Sequence, residues 1–392
     1  MMNGRCTGEM RAKLSFDICY RFFLLIGLLM VGASLPCKNL QASSKENNGN
    51  SNSNAYLPIE SFSGGLLSIL DGQRRFSCSA GSFAGADSQT SKRGRKSINP
   101  DHAITIQLPA CMKDAGEDAV IDFLKTFLPV GKSGFQHPND IAISIDVTGS
   151  QFGDKALEFV ANFFPNTTHL SLGNCKNITD QGLLQLVKLR SLKRLVLFGG
   201  SQVTGSSFAS LPDSVTELIL AYTSVVDQNL LNLRHLNRLR VLDLSNNKKI
   251  SGESLEQLAL DLSKLEWLDL SSTSLTDPAK LSGYRKLIKL DLSDNDLVVS
   301  HLDQLSPTLR DVGLSYVPID DQVLGQLLEH LPRLEALDIS RNLKITGVTL
   351  NQAPLTLKRV NLAETSAASE FIGQLRDSRP SLDIREPEKE IE

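Results

Sequence analysis

Cysteine, tryptophan and charge of one sign are all scarce in this sequence. Its 392 residues include 6 cysteines and 1 tryptophan, and 41 basic residues nearly balance 44 acidic ones. So few cysteines exclude a small domain held together by disulfides. A net charge of −3 provides no general attraction to nucleic acid, and we expect none to bind. No apolar run reaches the roughly 20 residues that a membrane-spanning helix needs.

The motifs of common enzymes are also missing. The sequence contains no H-E-x-x-H, C-x-x-C or G-x-S-x-G, and its six histidines lack metal-ligand spacing. Gly131-Lys132-Ser133 ends like a phosphate-binding loop, but that loop requires glycine where Thr126 stands. We therefore expect no enzymatic activity, no cofactor and no bound metal. His235 and His330 fall in predicted helical segments, and we expect both to be exposed to solvent.

The first 99 residues lack the pattern of a folded domain. Phe22 to Leu35 is the most apolar stretch, and it follows a basic lead, which is typical of a secretory signal. Residues 1–35 are predicted to be a signal peptide or a retained membrane anchor. Cys37 follows directly, where a lipid could be attached. Residues 36–99 are expected to be a mostly disordered linker, because their Ser, Asn and Gly content cannot bury enough apolar surface.

One pattern, L-x-x-L-x-L-x-x-(N/T/C), recurs through most of the remaining chain. Alternating leucines place their side chains on one face of a short strand, and the residues between them face solvent. The ninth residue turns the chain, and an asparagine amide there can bond free backbone groups. An apolar helical segment follows, with Asp180 and Asp277 at predicted helix starts. Good copies begin at Thr167, Leu192, Val215, Leu239, Leu265, Leu287, Leu309, Leu334 and Leu357, with a weaker copy near Ile143 and a truncated one at Leu382.

This pattern resembles the leucine-rich repeat family. The Ile178-Thr179-Asp180 segment after Cys175 is similar to its cysteine-containing subtype, and the copies with L-D-L-S are similar to the bacterial type. The resemblance covers residues 140–384, about 10 repeats. It implies an α/β fold, a right-handed solenoid or horseshoe with a parallel sheet on the concave side and helices on the convex side. One repeat cannot bury its own apolar face, so neighbours must stack.

The flanks of the repeats carry further expectations. Residues 100–139 are predicted to cap the N-terminal end, and 385–392 form a charged tail. Cys78 and Cys111 could form a disulfide if the chain is exported. Cys175, at a turn, is expected to be structural rather than reactive. Asn166 and Asn177 match the N-glycosylation triplet, although a chance match is favoured.

The concave surface is the candidate binding site. Strand positions that face solvent carry a column of carboxylates, which either contacts a ligand or only keeps the sheet soluble. Trp267, the single tryptophan, is predicted to point outward from the sheet, and exposed Trp, Tyr and Arg are frequent at binding hot spots. The candidate residues are Arg194, Tyr222, Asp243, Trp267, Asp269, Lys289, Asp291, Tyr316, Asp338 and Arg341.

These observations predict a non-catalytic scaffold or receptor that binds a protein partner through its concave face. We expect it to be secreted or membrane-anchored, extracytoplasmic and monomeric, with a possible membrane tether through its N-terminal segment. Two alternatives stay open. The chain could be an intracellular adaptor, such as a substrate-recognition subunit of a ubiquitin ligase, or it could bind glycans or a cell wall.

Overall fold

In the part of the chain that the structure describes, all strands belong to one parallel sheet, paired in sequence order. The structure is a computed structural model that describes residues 104–109, 112, 115–128 and 142–386. The strands are β1 (Ile104–Gln107), β2 (Ile143–Asp146), β3 (Thr167–Ser171), β4 (Arg194–Val196), β5 (Glu217–Ile219), β6 (Val241–Asp243), β7 (Trp267–Asp269), β8 (Lys289–Asp291), β9 (Asp311–Gly313), β10 (Ala336–Asp338), β11 (Arg359–Asn361) and β12 (Asp383–Arg385).

The register between strands follows the repeat. Leu242 lies opposite Leu268 and Leu268 opposite Leu290, so equivalent positions stand side by side. The predicted cap contributes β1, which pairs with β2 and extends the same sheet to 12 strands. This is the parallel sheet of a leucine-rich repeat solenoid, as the pattern predicted.

The segments between strands carry helices of two kinds. The α-helices are α1 (Glu117–Lys125), α2 (Asp154–Phe163), α3 (Asp180–Leu183), α4 (Glu253–Leu258), α5 (Asp321–His330) and α6 (Ser369–Ser378). Other repeats have a short 3₁₀ helix instead, as at Phe208–Ser210, Asp227–Leu233, Pro278–Leu281, Val299–Gln304 and Val348–Gln352. The shorter connections suit 3₁₀ turns, which rise further per residue than an α-helix.

The leucines of the pattern form one continuous core. Leu242, Leu268 and Leu290 are at most 1% exposed, and the helix residue Leu255 is fully buried behind them. Each buried leucine contributes on the order of 2 kcal/mol. Because each coil packs on its neighbours, this stability belongs to the stack rather than to one repeat.

Three repeats have asparagine at the ninth position, and it pairs the backbone groups of the corner, as predicted. The Asn247 amide donates to the carbonyl oxygens of Leu220 (2.8 Å), Leu244 (2.9 Å) and Ser245 (3.2 Å). Asn295 and Asn342 repeat these bonds in their own coils. One of the three acceptors always belongs to the preceding repeat. The side chain therefore satisfies backbone groups at the corner and joins two coils.

Aspartates make a second link between repeats that the sequence did not reveal. Helix α3 begins at Asp180, as predicted, and Thr179 caps it by accepting a hydrogen bond from the Gln181 N–H. The Asp180 carboxylate instead accepts from the Thr204 N–H at 2.8 Å and hydroxyl at 2.6 Å, and from the Gly205 N–H at 3.0 Å. Asp180 therefore both begins its own helix and binds the next repeat.

The same link recurs along the chain. Asp227 accepts from the backbone N–H groups of Ser251, Gly252 and Ser254, and Asp321 accepts from those of Thr346 and Gly347. Asp277 does cap its own helix, as predicted, through the Ala279 N–H at 2.9 Å, and it also bonds the His301 ring at 2.8 Å.

Two histidines pair with backbone carbonyls at the C-terminal ends of helical segments in the preceding repeat. Both His235 and His330 are half-buried, which corrects the expectation of exposure. His235 Nε2 lies 2.8 Å from the Leu211 carbonyl oxygen, and His330 Nε2 lies 2.6 Å from that of Leu305. The Tyr284 hydroxyl donates to the Leu255 carbonyl at 2.7 Å in the same way. Carbonyls left free where a helix ends are thus paired by the following repeat.

Several expectations lie outside the described residues. These are the signal or anchor in 1–35, the linker 36–99, Cys37 and the Cys78–Cys111 disulfide. Within the described residues, no helix has the length and apolar character needed to cross a bilayer.

We predict that Asn247→Ala destabilises the fold by about 2–4 kcal/mol, because three carbonyl acceptors lose their donor at a buried corner. Urea unfolding followed by circular dichroism measures this. Asn237→Ala is the matched control, since Asn237 is exposed and its side chain bonds no described residue. Equal losses in the two variants would contradict the role given to Asn247.

A second prediction concerns Asp180 and pH. Burial acts to raise the pKa of Asp180, but hydrogen bonds from Thr204 and Ser207 outweigh it and hold the pKa below its ordinary value. The lowered pKa means that the charged form stabilises the fold above about pH 4 and that this contribution is lost as the pH falls through the folded-state pKa. Asp180→Asn should therefore cost at least about 1 kcal/mol at pH 7 and little at pH 2.

Thermal unfolding at a series of pH values measures this difference. Asp303→Asn removes an exposed carboxylate that bonds no described residue and is the control. An Asp180→Asn effect that is independent of pH would contradict the charge-based explanation.

Candidate functional site

Three columns of side chains run across the concave sheet. The first strand residue gives the first column, the third strand residue gives the second, and the residue three positions later gives the turn column. The parallel registers place members of a column on adjoining strands, such as Asp243 beside Asp269 and Asp269 beside Asp291. Adjoining strands are about 4.8 Å apart. All ten candidate residues lie in these columns.

The second column holds the carboxylates, and each is fixed by its own strand end. The Asp243 carboxylate accepts the Ser245 N–H at 2.9 Å, and Asp269 and Asp291 accept those of Ser271 and Ser293 at 2.9 Å. Asp338 accepts the Ser340 N–H at 3.0 Å. These bonds give the aspartates a local structural role, which neither of the two interpretations of the sequence, ligand contact or solubility, included.

Neighbouring carboxylates also repel each other. Asp243, Asp269 and Asp291 are half-buried and form no ion pair with any described residue. Burial, followed by the charges of Asp291 and Asp243, raises the pKa of Asp269 to about 7. Burial likewise raises the pKa of Asp243, although hydrogen bonds from Ser245 oppose it. The centre of the concave face is therefore an uncompensated acidic column whose charge changes near neutral pH.

Trp267 is less exposed than the sequence suggested. It is half-buried, and the Lys289 ammonium lies 5.0 Å from its ring centroid. Lys289 Nζ also lies 3.6 Å from an Asp311 carboxylate oxygen on the next strand. The indole Nε1 is shielded from solvent and bonds no described residue. The Lys289 ammonium therefore lies over the Trp267 ring in a cation–π contact.

The turn column carries the exposed aromatic residues. Tyr222 is 49% exposed and Tyr316 is 65% exposed. Both take left-handed backbone angles, with φ of 56° and 55°. That conformation is unfavourable for a tyrosine, but each backbone N–H donates at 3.0 Å to a carbonyl of the next repeat. Phe198 packs edge-on against Tyr222, with centroids 5.3 Å apart.

Ion pairs across neighbouring repeats add residues that the sequence reading missed. Arg194 bonds the Glu217 carboxylate on the next strand, and Arg341 Nε donates to Glu364 at 3.2 Å. Both arginines are therefore partly neutralised, unlike the acidic column. The signal was present in the sequence, because each partner stands one repeat later in the same column.

Other candidate residues are placed as follows. Cys175 is buried, its thiol donates to the Val147 carbonyl at 3.5 Å, and burial raises its pKa to about 11, which fits a structural role. Asn166 is half-buried and Asn177 is exposed. Among the described residues, no group of three His, Cys, Asp or Glu side chains is arranged to hold a metal ion.

Comparison with known proteins agrees with the repeat. A family model described as Leucine Rich repeat matches residues 235–259. Among curated proteins, none matches this sequence.

Three solved structures are similar to the chain. An internalin from Listeria monocytogenes is 19% identical with a TM-score of 0.49, and the match covers 68% of this chain and 83% of that one. An internalin C2 from the same organism is 27% identical with a TM-score of 0.38, over 48% and 78%. A leucine-rich repeat protein from Leptospira interrogans is 16% identical with a TM-score of 0.39, over 63% and 72%.

We predict that the fluorescence of Trp267 titrates with a midpoint near pH 7. Trp267 is the only tryptophan and lies two residues before Asp269, whose pKa is raised to about 7. Asp269→Asn should abolish the transition. Asp291→Asn should lower its midpoint, because it removes a neighbouring negative charge.

Asp303→Asn is the control and should leave the titration unchanged, because Asp303 is exposed and lies in a helical segment rather than on the sheet. Because the pKa of Asp269 lies above its unfolded value, the wild-type fold should also weaken as pH rises from about 4 to about 7. A midpoint below about pH 5 in the wild-type protein would refute the raised pKa.

Proposed function

We propose that this chain, which folds as a leucine-rich repeat solenoid, acts as a non-catalytic scaffold whose concave face binds another protein. The observation that carries the proposal is the acidic column of Asp243, Asp269 and Asp291. These carboxylates lie on adjoining strands, are half-buried and have no cationic partner among the described residues. Because the rigid sheet holds these carboxylates close together, a bound cationic group would reduce the repulsion between them.

The chemistry of the partner follows from that column. Lysine or arginine side chains spaced to reach neighbouring strands would relieve the repulsion between the carboxylates and satisfy their free oxygens. Tyr222 and Tyr316, both exposed in the turn column, offer aromatic contact area beside the acids. Binding should therefore weaken with salt, because charge attraction at a surface is screened.

Two further parts of the proposal rest on the sequence alone. We propose that the protein is exported and that the segment Phe22–Leu35 directs this, either as a cleaved signal or as a membrane anchor. Sequencing of the mature N-terminus tests it. A start near residue 34 would support cleavage, and an intact Met1 on a soluble cytosolic protein would instead favour the adaptor alternative.

We predict that Trp267→Ala combined with Asp269→Lys abolishes partner capture. The full chain would carry a photo-crosslinker on the concave face, and proteins recovered from cells would be identified by mass spectrometry. We expect the wild type to recover partner proteins in low salt and to lose them at 0.5 M salt. We expect the double variant not to recover them in low salt. The reason is that the variant removes the central aromatic side chain and reverses the central charge.

Val187→Ala combined with Glu256→Lys is the matched control. Both residues are exposed on the helical side, and the pair makes the same kind of change, one apolar truncation and one charge reversal. The proposal fails if the concave variant keeps its partners, or if both double variants lose them to the same extent.

A further inference from the structure

A second charged surface lies along the edge where the chain enters each strand. Backbone bonds order this edge, since Arg240 N donates to Thr216 O, Glu266 N to Arg240 O and Ile288 N to Glu266 O. We define the strand-start rim as the segments that lead into strands β4 to β11, namely 190–193, 212–216, 234–240, 260–266, 285–288, 307–310, 332–335 and 355–358. The rim is distinct from the concave columns.

Basic residues dominate the strand-start rim. These segments contain 11 Lys and Arg residues but 4 Asp and Glu residues. The whole chain, in contrast, has a net charge of −3. Positive charge is therefore concentrated on one edge of the solenoid rather than spread over its surface.

Each acid of the rim already has a basic neighbour. Glu266 bonds Arg240 at 2.6 Å, and Glu335 bonds Arg310 at 3.0 Å and Lys358 at 2.6 Å. The remaining acids, Asp261 and Asp213, lie 3.7 Å from Arg234 and 4.0 Å from His235.

After this pairing, seven exposed cations are left over. They form no ion pair or side-chain hydrogen bond with any described residue, and they come from five of the eight rim segments: Arg190, Lys193, Arg238, Lys264, Arg285, Lys286 and Arg333. Exposed cations without partners that line up along one edge match an extended anionic surface.

Large apolar side chains protrude among these cations. Leu355 is 92% exposed and Leu260 is 87% exposed, the two highest values among the exposed large apolar residues of the described chain. Ile288, 42% exposed, lies between them on the rim. Burial of these apolar side chains in the interface of a lipid bilayer would contribute favourable binding free energy. A sulfated sugar polymer or a nucleic acid backbone offers no apolar region for such burial.

A cavity opens beside the same edge. It has a volume of about 360 Å³ and is lined by Ser282, Arg285, Gln304 and Thr308, among others. Arg285 is one of the unpaired cations, and its guanidinium can bond phosphate oxygens. The cavity could therefore receive a phosphorylated headgroup.

We propose that the strand-start rim binds the surface of an anionic lipid bilayer. The unpaired cations attract the negative surface, and Leu260 and Leu355 insert at the headgroup boundary. The concave columns stay free in this arrangement, because they lie on a different side of the strands. The proposal does not depend on what the concave face binds.

Vesicle co-sedimentation of the full chain tests the proposal. The wild type should bind vesicles of 30% phosphatidylserine in phosphatidylcholine more tightly than vesicles of phosphatidylcholine alone. The rim variant K264E/R285E/R333E should bind the anionic vesicles about 100-fold more weakly. L260S/L355S should bind them about tenfold more weakly or worse but should keep the wild-type affinity for heparin.

K176E/K249E/K344E is the matched control. It changes the net charge equally at three exposed lysines that follow the strands rather than precede them and that form no ion pair with a described residue. It should bind the anionic vesicles like the wild type, and circular dichroism should show both triple variants folded.

Three outcomes would overturn the proposal. Equal losses in both triple variants would show a general charge effect. Equal binding of the wild type to the two vesicle types would assign binding to the N-terminal apolar segment. Unchanged vesicle binding of L260S/L355S would point to a polyanion such as a sulfated glycan or nucleic acid instead of lipid.

Discussion

Every coil of this protein must turn sharply at the end of its strand without leaving buried backbone groups unpaired. In three coils, Asn247, Asn295 and Asn342 meet this need by donating to carbonyls of their own and the preceding coil. In three others, the hydroxyls of Thr223, Thr273 and Thr365 each donate to a carbonyl of their own coil. Once the corners are held, the leucines can stack in register and the strands can form one sheet. The columns on the concave face exist only because this register repeats.

The sequence predicts the position of a residue well when its pattern repeats along the chain, and poorly when its hydrogen-bond partner lies in another repeat. Leu242 and Asn247 follow a pattern that repeats along the chain, so their strand and corner positions could be predicted from it. The contacts of Asp180 and His235 could not, because their partners, Thr204 and Leu211, lie one repeat away and compete with nearer choices. The lysine that lies over Trp267 could not be predicted for the same reason, since Lys289 belongs to the adjoining strand.

The candidate site shows the same division. Composition and spacing placed Asp243, Asp269 and Asp291 in a column, and the registers agree. Spacing alone gave neither the raised pKa of Asp269 nor the pairing of Arg194 with Glu217, because both depend on burial and on the exact neighbour. Charges of opposite sign therefore lie on different surfaces of the described solenoid. Carboxylates without a cationic partner lie on the concave face, and cations without an acidic partner lie on the strand-start rim. A partner protein and a membrane could then be engaged together without competing for one surface.

The aspartate links between repeats give the solenoid a direction. The carboxylates of Asp180, Asp227 and Asp321 each accept hydrogen bonds from backbone N–H groups at the helix start of the following repeat. None of the three binds a helix start in the preceding repeat. Removing coils from the C-terminal end would leave a carboxylate that water can solvate readily. Removing them from the N-terminal end would strip the new first coil of the group that organises its turn. Shortened versions of this protein should therefore tolerate trimming unequally at the two ends.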